Sequence, residues 1–190
     1  MPGGVLAAKP GYEVKCILRP TMALDLDGRP IRAVQEALYF EGKVRSIWMQ
    51  FLDGGQGELH RGARWNVRIR KREGKNDAEL TFKKRYGAEL DGIDATLAKA
   101  AGEGFDRDSE GSTWDECQVE WGHNKRTLTF SLERARNVPD AQYTVLPGVE
   151  VSRAWALAEL PAALERALPG GRAREILGGA QVYGPVEGTR

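Results

Sequence analysis

The sequence predicts an α+β fold: an antiparallel β-barrel, or tunnel, with a polar, charged lumen and helices packed outside. Three observations lead there. Four strand-like segments are joined in pairs by short turns, and hairpin-joined strands run antiparallel. Five segments alternate apolar with polar residues at period two, which gives each strand one greasy and one polar face. Helical segments are few and do not follow every strand, which separates this order from a doubly wound parallel sheet.

The elements follow in chain order. Residues 1–11 hold three Gly and two Pro and read as a flexible arm, leaving 12–190 as one domain. Residues 12–19 read as a strand and 31–39 as a short helix. Residues 44–52 form a second strand, ended by Asp53-Gly54-Gly55. The segments 63–73 and 78–86 make a hairpin through Gly74-Lys75-Asn76-Asp77. Residues 94–101 are helical, with Asp94 as the cap. After a polar loop over 105–113, the segments 115–121 and 126–134 make a second hairpin through Gly122-His123-Asn124-Lys125. Residues 154–168 are helical in composition and are kinked or split by Pro161. One more helical turn fits 173–177, and weak strands fit 142–146 and 181–183.

Composition limits the function classes. The chain has 190 residues, 41% hydrophobic and 29% charged, the balance of a soluble globular domain. The formal charge of +1 gives no global field for nucleic acid or membrane. No apolar run approaches the roughly 18 residues of a membrane span, and the N-terminus has no signal-peptide pattern. Two cysteines, Cys16 and Cys117, are too few for a disulfide scaffold, so a reducing cytoplasm is expected. Both fall on apolar strand faces and read as inert core thiols. His60 and His123 lie in loop contexts with no second ligand at metal spacing, and read as surface residues. Lys71 and Lys84 fall on the faces away from the lumen and read as solvated.

The small net charge hides a segregation. Residues 61–87 carry ten basic and three acidic residues, a net +7. Residues 106–120 carry six acids and one base. Strand alternation then sorts the side chains. Arg68, Arg70 and Arg72 oppose Trp65, Val67 and Ile69; Thr81, Lys83 and Arg85 oppose Leu80 and Phe82. Glu116, Gln118 and Glu120 oppose Cys117, Val119 and Trp121. Thr127, Thr129, Ser131 and Glu133 oppose Leu128, Phe130 and Leu132, and Glu13 and Lys15 oppose Tyr12 and Val14. An ordinary half-exposed sheet would show the same alternation. The density of Arg and Lys on the polar faces, and helices enough to cover the apolar ones, favour a sheet whose charges turn inward.

Cations crowded on one concave wall repel unless anions share the space. A polyanion such as a triphosphate is the natural guest, because guanidinium forks bind phosphate oxygens bidentately and Lys adds a point charge. Carboxylates on the same wall make sense as holders of Mg²⁺ or Mn²⁺, which bridges carboxylate and phosphate oxygens. Glu13 and Glu120 are the best-placed metal candidates, with Glu116 and Glu133 next.

Four short motifs, Glu13-Val14-Lys15, Arg68-Ile69-Arg70, Leu80-Thr81-Phe82-Lys83 and Glu116-x-Gln118-x-Glu120, occur in the order and rough spacing of the CYTH domain, and the chain over about 12–135 resembles that superfamily of triphosphate tunnel metalloenzymes. It includes thiamine triphosphatase, inorganic triphosphatase, RNA triphosphatase and a class of adenylate cyclases. The resemblance implies a β-tunnel, a divalent metal and hydrolysis of an inorganic or organic triphosphate or polyphosphate. It implies Arg68, Arg70, Lys83 and Arg85 as phosphate ligands, Lys83 and Lys15 as catalytic, and Glu13, Glu120, Glu116 and Glu133 at the metal. The sequence departs from the family pattern at Gly11, where the first motif's leading Glu would stand, and at Gln118. Two alternatives compete with a hydrolase. One is a non-catalytic phosphoanion-binding protein of the same fold. The other is an RNA-binding sheet, disfavoured because Trp65 and Phe82 fall opposite Arg68 and Lys83. Trp48, on the face opposite Ile47, Met49 and Phe51, is a candidate to line the tunnel and stack on an organic substrate.

Overall fold

Seven strands hydrogen-bond into one mixed sheet in the order β1-β5-β6-β4-β3-β2-β7. They are β1 (Gly11–Val14), β2 (Ser46–Asp53), β3 (Trp65–Arg72), β4 (Asp77–Gly87), β5 (Glu116–Trp121), β6 (Arg126–Asn137) and β7 (Gln181–Thr189). The computed structural model describes residues 9–15, 19–27, 29–38, 45–87, 92–105, 114–122, 125–138 and 146–189. Most of the arm over 1–11, together with Cys16, His123, most of the loop over 105–113 and most of the weak strand over 142–146, lies outside these residues.

Both expected hairpins form, β3 with β4 and β5 with β6, all antiparallel. β1 instead joins the edge of β5 in parallel, with Glu13 opposite Glu120. The expected closed barrel is corrected: among the described residues the sheet is open, and β1 and β7 are its two edges. Closure needs the outermost strands to pair with each other, and β1 offers only four residues. β7 runs nine residues, far beyond the expected 181–183, and leans on β2 through a bulge between Met49 and Phe51. Gly184 sits at that bulge with φ +116°, and a Cβ there would meet the Met49 carbonyl at 2.7 Å, so the approach needs glycine.

One face of the sheet is covered by helices. α3 (Gly92–Gly102), α4 (Val149–Ala158), α5 (Ala162–Ala167) and α6 (Arg172–Gly178) follow two short helices, α1 (Pro20–Ala23) and α2 (Arg32–Ala37). α3 opens two residues earlier than expected, so Asp94 stands within its first turn rather than capping it. Pro161 splits the 154–168 segment: it is the N-cap of α5, past the end of α4. Gly170 and Gly171, at φ +70° and +78°, make the left-handed turn into α6.

The greasy strand faces and these helices share one core. Val67, Ile69, Leu80, Phe82, Val119, Leu128 and Phe130 from the sheet cluster with Leu97, Phe105, Leu164 and Leu177. Phe105 stacks at 4.7 Å from Phe130, and Trp114 meets Phe130 edge-on at 5.4 Å. Burial, with the Glu116 charge second, pushes the Cys117 thiol up to about 12, which keeps it an inert core thiol.

Two lysines depart from expectation. Lys84 is half-buried: its Nζ donates to the Ala63 carbonyl at 2.8 Å and lies over the Tyr86 ring at 5.2 Å. Burial pushes its ammonium below the usual lysine range. Lys71 is 0% exposed, between Trp48 and Ala78 on the helix-covered face, and its Nζ finds no hydrogen-bond partner among the described residues. Alternation puts it there, because Val67, Ile69 and Lys71 are two residues apart, and α-helical cover turned an outward face into an interior one. A buried donor without an acceptor costs about 1–3 kcal/mol. Lys71→Met is therefore expected to raise the free energy of urea unfolding by about 1–3 kcal/mol; a fall would show that the ammonium is matched.

Candidate functional site

The opposite face of the sheet carries the charge, and the strand registers lay it out in rows. Glu133, Thr81, Arg68 and Phe51 stand side by side on β6, β4, β3 and β2. The next row is Glu116, Ser131, Lys83 and Asn66. Beyond it come Gln118, Thr129 and Arg85, then Glu13, Glu120 and Thr127. On the other side lie Glu79, Arg70 and Met49, and after them Arg72 and Ile47. The sheet thus places all nine sequence-chosen residues on one face: Glu13, Lys15, Arg68, Arg70, Lys83, Arg85, Glu116, Glu120 and Glu133.

The floor of this face is made of short hydroxyl side chains. Thr81, Thr127, Thr129 and Ser131 are all buried. Long side chains on either side arch over them. Charge is graded across the floor: β3 and β4 contribute Arg68, Arg70, Arg72, Lys83 and Arg85 against Glu79, while β1, β5 and β6 contribute Glu13, Glu116, Glu120 and Glu133 against Lys15.

Ion pairs tie the two halves together. Lys83 Nζ donates to Glu120 Oε1, and Lys15 Nζ to Glu120 Oε2 at 2.8 Å, with the Lys83 and Glu120 side chains only 15% and 12% exposed. Lys15 also reaches Glu13 at 3.4 Å. Burial would raise the Glu120 carboxyl, but hydrogen bonds from Lys15 and Lys83 and their charges outweigh it and hold it below the usual carboxylate range. Glu79 takes Arg70 on one oxygen and Arg72, at 3.3 Å, on the other.

Three guanidiniums are incompletely matched. The Nε atoms of Arg68, Arg70 and Arg72 are buried and find no acceptor among the described residues. They come from alternate positions of one strand and so point to one side. Among the described residues Arg68 keeps only a long contact to Thr81 Oγ1, at 3.4 Å. Burial, then the neighbouring Arg70, pushes its guanidinium below the ordinary arginine range. Burial and the nearby Glu79 push the Glu133 carboxyl the other way, above its usual range, although Arg70 opposes the shift.

The four carboxylates read as metal ligands, Glu13, Glu116, Glu120 and Glu133, come from three strands, and three of them are engaged by neighbouring side chains. Both oxygens of Glu120 are held by ammonium groups, Glu13 is held by Lys15, and Glu116 accepts from Gln118 at 2.7 Å. Among the described residues no three His, Cys, Asp or Glu lie close enough to hold a metal ion. A Mg²⁺ or Mn²⁺ ion at these carboxylates would have to share or displace the ammonium and amide partners of Glu13, Glu116 and Glu120.

The sequence missed three features. Glu79, the carboxylate that gathers Arg70 and Arg72, was legible by stepping back two residues from Thr81. Trp48 does not line this face: its row neighbour is Lys71, so it belongs to the helix-covered side, and Phe51 and Tyr183 bring the aromatic surface instead. These two help to line a cavity of about 580 Å³ at the β2 end of the face, with Asp53, Asn66 and His60. Segment 46–53 is apolar at successive positions, so only its register with β3 tells the faces apart. No helix among the described residues is long and apolar enough to cross a membrane.

No family model and no curated protein matches the chain. A solved structure described as a putative adenylyl cyclase, HpAC1, from Hippeastrum, with a dominant triphosphatase activity, is similar at 15% identity and a TM-score of 0.41. The likeness covers 85% of this chain, and the chain spans 61% of the length of that structure. A TM-score of 0.41 is too low to carry fold or function from one chain to the other.

The raised Glu133 carboxyl has a stability consequence. The folded chain holds this proton to higher pH than the unfolded chain does. The cost is therefore absent below the usual carboxylate range, grows as pH climbs through the raised folded value, and is complete above it. Glu133→Gln is expected to raise the melting temperature at about pH 7 and to leave it unchanged at about pH 3; an equal rise at both would assign the gain to packing.

Proposed function

We propose that the protein binds a triphosphate or polyphosphate anion on the charged face of its sheet, as a divergent member of the CYTH superfamily. One observation carries this reading: Arg68, Arg70, Arg72, Lys83 and Arg85 share one face over a buried Thr and Ser floor, and among the described residues Arg68 and Arg85 pair with no carboxylate. A tetrahedral oxyanion supplies several acceptors at once and meets guanidinium donors with charge-assisted hydrogen bonds. A nucleic acid platform has less support, because Trp65 and Phe82 are buried on the other face. Lys83 and Arg85 extend the donor surface toward β5 and β6. The fixed pairs Lys83–Glu120 and Arg70–Glu79 keep these side chains extended, so little ordering is left for the ligand to impose.

Hydrolysis is a second reading, favoured by Glu133. Its carboxyl shares a row with Thr81 and Arg68 and lies above the usual range, which makes it a stronger proton acceptor than an ordinary carboxylate. In that reaction water attacks a terminal phosphorus, Glu133 takes its proton, and the phosphoanhydride bond breaks to release the shortened polyphosphate. Arg68 and Arg70 would balance the charge of the transferred phosphoryl group.

The binding reading predicts that tripolyphosphate at about a hundredfold excess over its Kd raises the melting temperature by about 5–10 °C. Arg68→Ala and Lys83→Ala should each remove most of that rise. Sulfate at matched ionic strength giving the same rise, or variants that keep it, would refute the site. The hydrolase reading further predicts phosphate release when Mg²⁺ or Mn²⁺ accompanies the substrate, with Glu133→Gln abolishing release and keeping the thermal shift. If shift occurs without release, the protein is a binder.

A further inference from the structure

At the end of the charged face beyond Arg85 lies a cavity of about 250 Å³ lined by His60, Arg61, Arg64, Arg85, Lys125 and Thr127. Its cations come from four places in the chain: the π-helical turn Glu58–Gly62, the residue before β3, β4, and the residue before β6. Among the described residues no carboxylate lines it. Arg61, Arg64, Arg85 and Lys125 form no ion pair among the described residues, in contrast to Arg70, Arg72 and Lys83 further along the face.

The walls are built, not incidental. Asp53 holds the Glu58–Gly62 turn in place by accepting from the backbone N–H of Gly54 and Leu59, both at 2.8 Å, and of His60 at 3.2 Å. This orients His60 and Arg61 together. Arg64 has φ +56°, a left-handed conformation that L side chains rarely adopt, and its carbonyl accepts the Arg85 N–H at 3.0 Å. The backbone thereby ties one wall of the cavity to the strand that carries Lys83. Gly87, which also lines the cavity, leaves room beside the Arg64 guanidinium, 3.6 Å from where a Cβ would stand. Four cations around one small space repel one another until an anion enters.

We propose that this cavity is a second oxyanion site, and that the ligand of the charged face is a linear polyphosphate longer than three phosphates, whose further phosphoryl groups pass Arg85 and end here. The proposal rests on the reading of the charged face as a phosphate site. Arg85 belongs to both sites and makes them continuous. Among the described residues the lining has no large apolar or aromatic side chain able to hold an organic leaving group; Phe51 and Tyr183 line the neighbouring cavity that shares His60 and Arg61.

The test compares tripolyphosphate with linear polyphosphates of increasing length, by calorimetric titration of the full chain at fixed ionic strength. Wild type is expected to bind the longer chains at least tenfold more tightly per chain. The double variant Arg61→Ala/Lys125→Ala should bring long-chain affinity down to that of tripolyphosphate. A control pair of exposed cations away from the cavity, Arg29→Ala/Lys75→Ala, should keep the length dependence. Equal affinity for all lengths in wild type, or equal effects of the two pairs, would overturn the cavity as a site. If long chains bind in an Arg61- and Lys125-dependent way while tripolyphosphate does not bind at all, the cavity stands and the reading of the charged face fails. If tripolyphosphate binds through Arg68 with no length dependence, the face stands and the cavity fails.

Discussion

A sheet that buries apolar side chains on one face must put everything else on the other, and here that remainder is mostly charge. Period-two alternation lets β3, β4, β5 and β6 contribute to one helix-covered core. The same alternation forces Arg68, Arg70, Arg72, Lys83, Arg85, Glu116, Glu120 and Glu133 together over a floor of Ser and Thr. Such a face is stable only if its charges are matched. Carboxylates from β1, β5 and β4 match the lysines and part of the arginine row. The matching stops short of the β3 guanidinium Nε atoms and of the cations beyond Arg85. The functional reading follows from where this matching ends.

Pairing also sets the state of the carboxylates. A carboxylate shared by two ammonium groups, as Glu120 is by Lys15 and Lys83, has one lone pair on each oxygen engaged. It fixes the two lysines and is held ionised by them. Glu133 is different: no lysine among the described residues holds it, and burial works against its charge. Two acids on neighbouring strands thus have opposite tendencies, Glu120 held ionised by two ammonium groups and Glu133 with its charge opposed by burial.

Much of this was legible in the sequence, because it depends on local signals. The two hairpins follow from short polar links between alternating segments, and the break between α4 and α5 follows from Pro161. The shared face of the nine site residues follows from alternation plus hairpin register. What was not legible depends on partners far apart in the chain. Whether the sheet closes is decided by how its outermost strands meet, and four exposed residues of β1 in parallel with β5 give no sequence sign of that. The length of β7 is hidden by Gly184, Pro185 and Gly188, residues that disfavour strand continuation. The orientation of β2 was hidden by apolar residues on both its faces, which is why Trp48 was assigned to the wrong side. Lys71 was misread because alternation names a face without saying what will cover it.

The central claim is that the arginine row of β3 is an oxyanion site, and its side-chain Nε–H groups report on that directly. In ¹H–¹⁵N spectra titrated with tripolyphosphate, the Nε–H resonances of Arg68, Arg70 and Arg72, assigned by single Arg→Lys variants, should shift downfield together and saturate at one stoichiometric ratio. If those three stay still while exposed arginines such as Arg32 and Arg174 move, the anion is bound by scattered surface charge and the account is wrong.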